Sequence, residues 1–192
     1  MLEIVLHPKL LRFSPEELER WGKGDKGNCE DPYILEKLQG TRGFGEYIVG
    51  RHFRSLGYDW IHHDFDVFGT NKPGKYPASE RILSEWFGEE RFAAARGLYR
   101  ALYPLREPRS APIETPDLMV YRPDGSEVGF AEAKRTDTER KLDRRQQAVG
   151  LALIAALFRC PVDLYLVAPE GACPSLEPIR IAFPPASNTP CD

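Results

Sequence analysis

Apolar residues alternate with polar ones in two short segments of the second half of the chain, 115–121 and 128–134. Alternation with a period of two predicts strands, because successive side chains of a strand point to opposite faces. The connecting segment 122–127 contains Pro-Asp-Gly, in which Pro restricts φ and Gly accepts a positive φ. The pattern therefore predicts a β-hairpin.

Helices are predicted where apolar residues recur every three or four positions after a capping residue. Ser14 and Pro15 open the first helix, and a capping box beginning at Thr136 opens the last. Gly57 is expected to end one helix and Gly88 to break another. The predicted helices cover 15–21, 32–39, 42–56, 79–103 and 136–158, and the further predicted strands cover 58–68 and 162–167, with an edge strand at 179–183.

The order helix, strand, strand, strand, helix, strand predicts an α/β domain with a mixed central sheet. Three parts are expected: an N-terminal helical cap at 1–40, a core at 41–170 that contains a helical insertion at 69–110, and a Pro-rich tail at 171–192. The N-terminal segment and the insertion are the surfaces on which a protein partner is expected.

Length and composition indicate one globular domain of ordinary size, with 192 residues, 42% hydrophobic and 29% charged. A net charge of −3 argues against a uniformly basic surface, but a local basic patch is enough to bind nucleic acid. The sequence contains no run of about 18 apolar residues, so no membrane span is predicted. The four cysteines form no C-x-x-C pair, so reduced thiols in a cytoplasmic protein are expected, without a structural zinc site.

The predicted hairpin carries the candidate chemistry. It places Asp117 beside Glu132 and Lys134, and the last two share a strand face because they are two residues apart. Two carboxylates ~4 Å apart repel by ~4 kcal/mol at an effective dielectric of ~20, and a hard divalent ion such as Mg²⁺ relieves that cost. A lysine beside the ion can orient or deprotonate a water molecule, or stabilise charge on a phosphate. The pattern predicts metal-assisted phosphodiester hydrolysis, and the alternative interpretation is a solvated hairpin edge.

The segment 116–125, followed by Phe-Ala-Glu-Ala-Lys at 130–134 and by Arg-Gln-Gln at 145–147, resembles the PD-(D/E)xK nuclease superfamily. Within it the chain is most similar to the VRR-NUC (virus-type replication-repair nuclease) domains, over about 116–168 and more loosely back to about 42. The resemblance implies a restriction-endonuclease-like αβββαβ core. It also implies a Mg²⁺-dependent deoxyribonuclease of repair, recombination or replication, with Mg²⁺ or Mn²⁺ bound by Asp117 and Glu132 and with Lys134 in catalysis.

Further site residues are expected from the two helices that flank these strands. Glu46 lies in the first turns of its helix, where an acid suits the helix dipole, and the resemblance implies that it joins the metal site. A glutamine of the last helix is implied near the site, and Gln147 is favoured over Gln146 because it lies closer to the buried stripe. A basic patch at the start of that helix is expected to contact phosphates, and it consists of Arg140, Lys141, Arg144 and Arg145.

The segment His-His-Asp-Phe-Asp at 62–66 suggests a metal site, but adjacent histidines of a strand point to opposite faces and do not readily chelate one ion. Asp64 and Asp66 remain candidates for the main site. Two other functions compete with the nuclease: a non-catalytic nucleic-acid-binding or assembly subunit that retains the nuclease fold, and an interaction protein that works through segments 1–40 and 69–110.

Overall fold

Five strands form a mixed central sheet, and a separate two-stranded sheet lies beside it. A computed structural model describes residues 2–68, 72, 74–102, 115–138 and 145–183. The elements are β1 (Leu2–Leu6), β2 (Lys9–Phe13), α1 (Pro15–Gly22), α2 (Pro32–Lys37), α3 (Phe44–Ser55), β3 (Asp59–His62), α4 (Pro77–Leu102), β4 (Leu118–Tyr121), β5 (Val128–Arg135), α5 (Arg145–Phe158), β6 (Val162–Pro169) and β7 (Ile179–Phe183).

The central sheet has the strand order β2-β6-β5-β4-β3. β2 and β5 run parallel to β6, whereas β4 runs antiparallel to both β5 and β3. The predicted edge strand at 179–183 is present as β7 and pairs with β1. The predicted α/β class with a mixed central sheet is confirmed.

The predicted hairpin is formed by β4 and β5. Leu118 pairs with Ala131 and Tyr121 pairs with Val128 in antiparallel register. Gly125 supplies the positive φ of the turn, at +73°, which a residue with a side chain adopts only with strain. This register places the residue before β4 opposite the middle of β5.

Two apolar cores lie on the two faces of the sheet. On one face Phe44, Ile48 and Val49 of α3 pack with Leu118 and Val120 of β4. On the other face the side chains of α4 and α5 pack on the sheet, including Leu83, Phe87, Phe92, Ile154 and Phe158 against Met119 and Phe130. The sheet therefore lies between two helical layers, and α3 packs on the face of β4 that carries Leu118 and Val120.

The N-terminal segment is only partly the helical cap that its pattern predicts. The two predicted helices are present as α1 and α2, and Ser14 caps α1 by accepting a hydrogen bond from the backbone N–H of Glu17. The segment also contributes two strands, and β2 is an edge strand of the central sheet. Its strand character depends on pairing with β6, more than 150 residues away, so the local pattern does not reveal it.

The strand predicted over 58–68 is shorter than expected. β3 ends at His62 because His63 has a φ of +63°, which is not compatible with a continuing strand. The following residues Phe65, Val67 and Phe68 are buried with the α4 and α5 side chains instead. The alternating apolar residues of this segment therefore lie in two different packing environments and do not form one strand.

The helix predicted from Thr136 also begins later. Residues 136–138 form a turn in which Asp137 pairs with Arg135 and Thr136 donates its N–H to the carbonyl of Val167. The described part of α5 begins at Arg145 and ends at Phe158, where the pattern places its end. The predicted break in α4 is present at Gly88, with φ 76° and ψ 152°.

Within the described residues, no helix is both long and apolar enough to cross a membrane.

Candidate functional site

Asp117 and Glu132 lie directly opposite each other at the start of the hairpin, one position beyond the Leu118–Ala131 pair. The backbone N–H of Asp117 donates to Oε2 of Glu132 at 3.1 Å. The backbone N–H of Ala133 donates to Oδ2 of Asp117 at 3.0 Å. Each carboxylate therefore accepts a hydrogen bond from the neighbouring strand, and the structure brings together the two acids that the pattern pairs.

Lys134 joins this pair as the sequence predicts. Its Nζ forms an ion pair with Oε1 of Glu132, in a place where the lysine side chain is 18% exposed and the glutamate side chain 1%. Burial by itself would lower the pKa of the ammonium, but the nearby carboxylates of Glu132 and Asp117 outweigh burial and raise it. Lys134 is therefore a firmly charged cation at the site.

The pKa of Glu132 lies well above its ordinary value. Burial is the largest cause and the like charge of Asp117 the next, and the attraction of Lys134 does not cancel them. The protonated form of Glu132 is therefore favoured more than in a free glutamate, because burial and the neighbouring charge of Asp117 both oppose its ionisation.

Glu46 lies in the first turn of α3, at the same end of the sheet as Asp117 and Glu132. The helix starts very close to β5, since a Cβ atom on Gly45 would stand 3.0 Å from Cγ of Arg135. The pKa of Glu46 is raised by burial and then by the charge of Asp117, and Lys134 and His62 act in the opposite direction. Glu46 thus interacts electrostatically with the hairpin acids.

The structure adds His62 and Asp31, which the sequence reasoning did not select. Oδ2 of Asp31 accepts a hydrogen bond from the backbone N–H of His62 at 3.4 Å, and Oδ1 lies 3.8 Å from Nδ1 of the ring. Burial alone would lower the pKa of His62, but Asp31, Glu46 and Asp117 raise it. The doublet of histidines at a strand end is the only sequence signal for His62, and nothing in the spacing links it to Asp31.

The backbone of His63 is hydrogen-bonded to that of Asp117, the first of the two acids. Its N–H donates to the carbonyl oxygen of Asp117 at 3.3 Å, and its imidazole stacks on the ring of Tyr33 of α2. His62 is buried and His63 exposed, but both rings contact Tyr33. The opposite directions expected of two strand residues do not apply, because β3 ends at His62 and His63 has a positive φ. Asp64 is exposed and Asp66 is buried, and their place in the main site stays a prediction.

Several predicted site residues fall outside the described part of the chain. Arg140, Lys141 and Arg144 lie outside the described residues. The backbones of Arg145, Gln146 and Gln147 belong to α5, but their side chains are not among those described. The phosphate contacts of the basic patch and the choice between the two glutamines therefore stay predictions.

A cleft of about 520 Å³ runs along the outer edge of β3, between the starts of α2 and α4. Its charged lining consists of Glu30, Asp31, Asp59 and Asp64 against Arg54 and Lys75. An acidic balance repels a polyanion, so this cleft is not suited to the backbone of DNA.

Among the described residues, no group of three or more His, Cys, Asp and Glu side chains is arranged to hold a metal ion. Mg²⁺ needs fewer, since one or two carboxylates bind it together with water and the phosphate oxygens of a substrate. Asp117 and Glu132 provide those two hard oxygen donors, and the like charge of Asp117 is one cause of the raised pKa of Glu132, a cost that a bound cation relieves. The donor set fits a hard divalent cation.

Comparisons of the chain with protein-family models, with curated proteins and with solved structures gave no match.

Proposed function

We propose that this protein is a metal-dependent nuclease that hydrolyses phosphodiester bonds in DNA. The observation that carries the proposal is the linked pair of Asp117 and Glu132, with Lys134 bound to the second acid at the same end of the hairpin. Two carboxylates and a lysine in this arrangement combine metal ligands with a cation able to act on water or phosphate.

The strand order supports a restriction-endonuclease-like core. Apart from α4, which is inserted between β3 and β4, the elements follow the αβββαβ order that the resemblance to PD-(D/E)xK nucleases and VRR-NUC domains implies, namely α3, β3, β4, β5, α5 and β6. β3, β4 and β5 are consecutive antiparallel neighbours, and β6 returns parallel to β5. The proposed site residues occupy the hairpin and the first helix of that core.

Asp117 and Glu132 would hold Mg²⁺ or Mn²⁺, with Glu46 as a further acid near them. Such an ion supplies Lewis acidity toward a phosphate oxygen and lowers the pKa of water. Lys134 holds its proton firmly, so it is suited to orienting the attacking water and neutralising charge that develops on the phosphate. Gln147 is expected to orient the water or the substrate.

The second candidate is a non-catalytic nucleic-acid-binding or assembly subunit that retains the nuclease fold. It is favoured by one observation: the carboxylate of Glu132 is already engaged by Lys134 and by the N–H of Asp117. A carboxylate with these partners is also expected in an ion pair whose role is only to stabilise the fold.

Cleavage assays separate the two candidates. The purified protein is incubated with labelled single-stranded, duplex and branched DNAs in Mg²⁺ or Mn²⁺, with EDTA as the blank. The nuclease proposal expects metal-dependent products that Glu132→Gln abolishes. Metal-independent DNA binding without products would support the non-catalytic subunit, and neither binding nor products would leave only an interaction protein.

The basic patch before α5 provides a further prediction. Reversing Arg140 and Lys141 to glutamate is expected to weaken DNA binding and to make the dependence of log Kd on log salt less steep by about 0.9 for each lost phosphate contact. Titrations at several salt concentrations measure this slope. The matched control reverses two exposed cations, Lys23 at the C-cap of α1 and Lys37 at the end of α2. Equal slopes for the two double variants would show that the patch is only a solvated surface.

A further inference from the structure

The backbone of His63 has a conformation that is unfavourable for most residues with a side chain. Its φ is +63°, and the N–H of Asp64 donates to the carbonyl of His62 at 2.7 Å, which closes a three-residue turn around it. Glycine or asparagine adopts this conformation at lower cost. Strain of this kind persists where the surroundings enforce it, and it clusters at functional sites.

The turn holds the imidazole next to the acid pair. The N–H of His63 donates to the carbonyl of Asp117, so the backbone that carries the ring is attached to the residue that carries the first carboxylate. A base on this ring would therefore belong to a nucleotide close to the phosphate at Asp117 and Glu132.

One face of the His63 ring is already covered. The ring of Tyr33 stacks on it with centroids 4.3 Å apart and planes 8° from parallel. Tyr33 is half-buried in α2, and Asp31 at the cap of the same helix is bound to His62. Tyr33 therefore packs on one face of the His63 ring, and because His63 itself is exposed, a ligand in solvent can reach the residue.

We propose that the stacked pair of Tyr33 and His63 is a subsite for a nucleobase next to the phosphate held at the acid pair. This inference rests on the proposed nuclease function. Base–aromatic stacking is tolerant of sequence because every base has a π-face. A base inside a duplex has both faces covered, so the subsite selects a base with a free face, in a single strand, at an end or at a flap.

The test replaces the ring without disturbing the turn. His63→Asn removes the aromatic ring and tolerates the left-handed φ, whereas His63→Phe retains an aromatic face. His7→Asn, a substitution at an exposed histidine before β2, is the matched control. Melting temperatures of the variants establish that the folds are intact.

The probe is a short single-stranded oligonucleotide that carries 2-aminopurine at each position in turn. It is bound in Ca²⁺ in place of Mg²⁺, so that the acid pair holds a hard cation, and gels confirm that the oligonucleotide stays intact. Stacking quenches 2-aminopurine fluorescence, so the parent, His63→Phe and His7→Asn should quench one position strongly. His63→Asn should not quench it and should bind the oligonucleotide about 5- to 150-fold more weakly. Its affinity for a covalently closed circular duplex, in which no base has a free face, should stay at the parental value.

Three outcomes would overturn the inference. If His63→Asn quenches and binds like the parent, no base stacks there, and cleavage by the parent in Mg²⁺ would still support the nuclease. If the parent neither binds nor cleaves any of the DNAs, the nuclease proposal fails and the subsite fails with it. A loss of single-strand and duplex affinity together in His63→Asn would show a general structural role instead.

Discussion

Replacing Lys134 by alanine is expected to slow DNA cleavage by about 10²–10³ or more, the loss typical of deleting one preorganised electrostatic contact. Lys134 pairs with Glu132, and its charge is positioned to act on the water or the scissile phosphate. Binding of Mg²⁺ should persist, because both carboxylates remain. Single-turnover cleavage and metal titration on the same protein measure the two effects separately.

The folded state should survive this substitution at a limited cost. Removing one partner of a buried ion pair costs up to about 3–5 kcal/mol when the other charge stays buried. The pKa of Glu132 is already raised, however, so its carboxyl can take up a proton instead of remaining a lone charge. A melting curve that shows a small decrease, together with abolished cleavage, would separate catalysis from folding.

Two companion variants make the result interpretable. Glu132→Gln should also abolish cleavage, but with weakened metal binding that excess Mn²⁺ partly restores. Lys9→Ala breaks a more exposed ion pair between the neighbouring strands β2 and β6, where Nζ lies 2.7 Å from Oδ2 of Asp163, and should cleave at the parental rate. If Lys134→Ala and Glu132→Gln both cut DNA like the parent, this hairpin is not the active site.

The second large effect is expected in the pH dependence of stability. The pKa values of Glu46 and Glu132 are raised above 4.5 in the folded protein, so the folded state binds more protons than the unfolded state above that pH. The free energy of unfolding should therefore fall as pH rises from about 4.5 through the raised values, by up to about 1.4 kcal/mol per pH unit for each group. The raised pKa of His62 acts in the same direction above pH 6.5.

A divalent ion should reverse this trend. Mg²⁺ or Mn²⁺ binds the ionised carboxylates and displaces their protons, so the rise in Tm on adding metal should grow with pH over the same window. Glu132→Gln should flatten the pH profile and remove most of the metal effect. Glu36→Gln, at an exposed position of α2, should change neither. A parent whose Tm does not respond to either ion at neutral pH would contradict a metal site at these acids.

Much of the candidate site follows from short-range patterns. Alternation and the Pro-Asp-Gly turn predict the hairpin, and the hairpin alone brings Asp117 to Glu132 across fourteen intervening residues. The two-residue spacing then places Lys134 on the same strand face as Glu132. These relations are local, because a tight turn determines the register of the two strands that it joins.

Other parts depend on contacts between segments that are distant in the chain. β2 becomes a strand of the sheet only through its pairing with β6, and β3 stops at His62 because the next residues pack under α4 and α5. The contact of Asp31 with His62 exists because α2 docks against the end of β3. No periodicity encodes such contacts, since they result from the packing of whole elements. The grouping of Asp117, Glu132 and Lys134 therefore follows from the local sequence pattern. The position of His62 beside them depends on the tertiary structure.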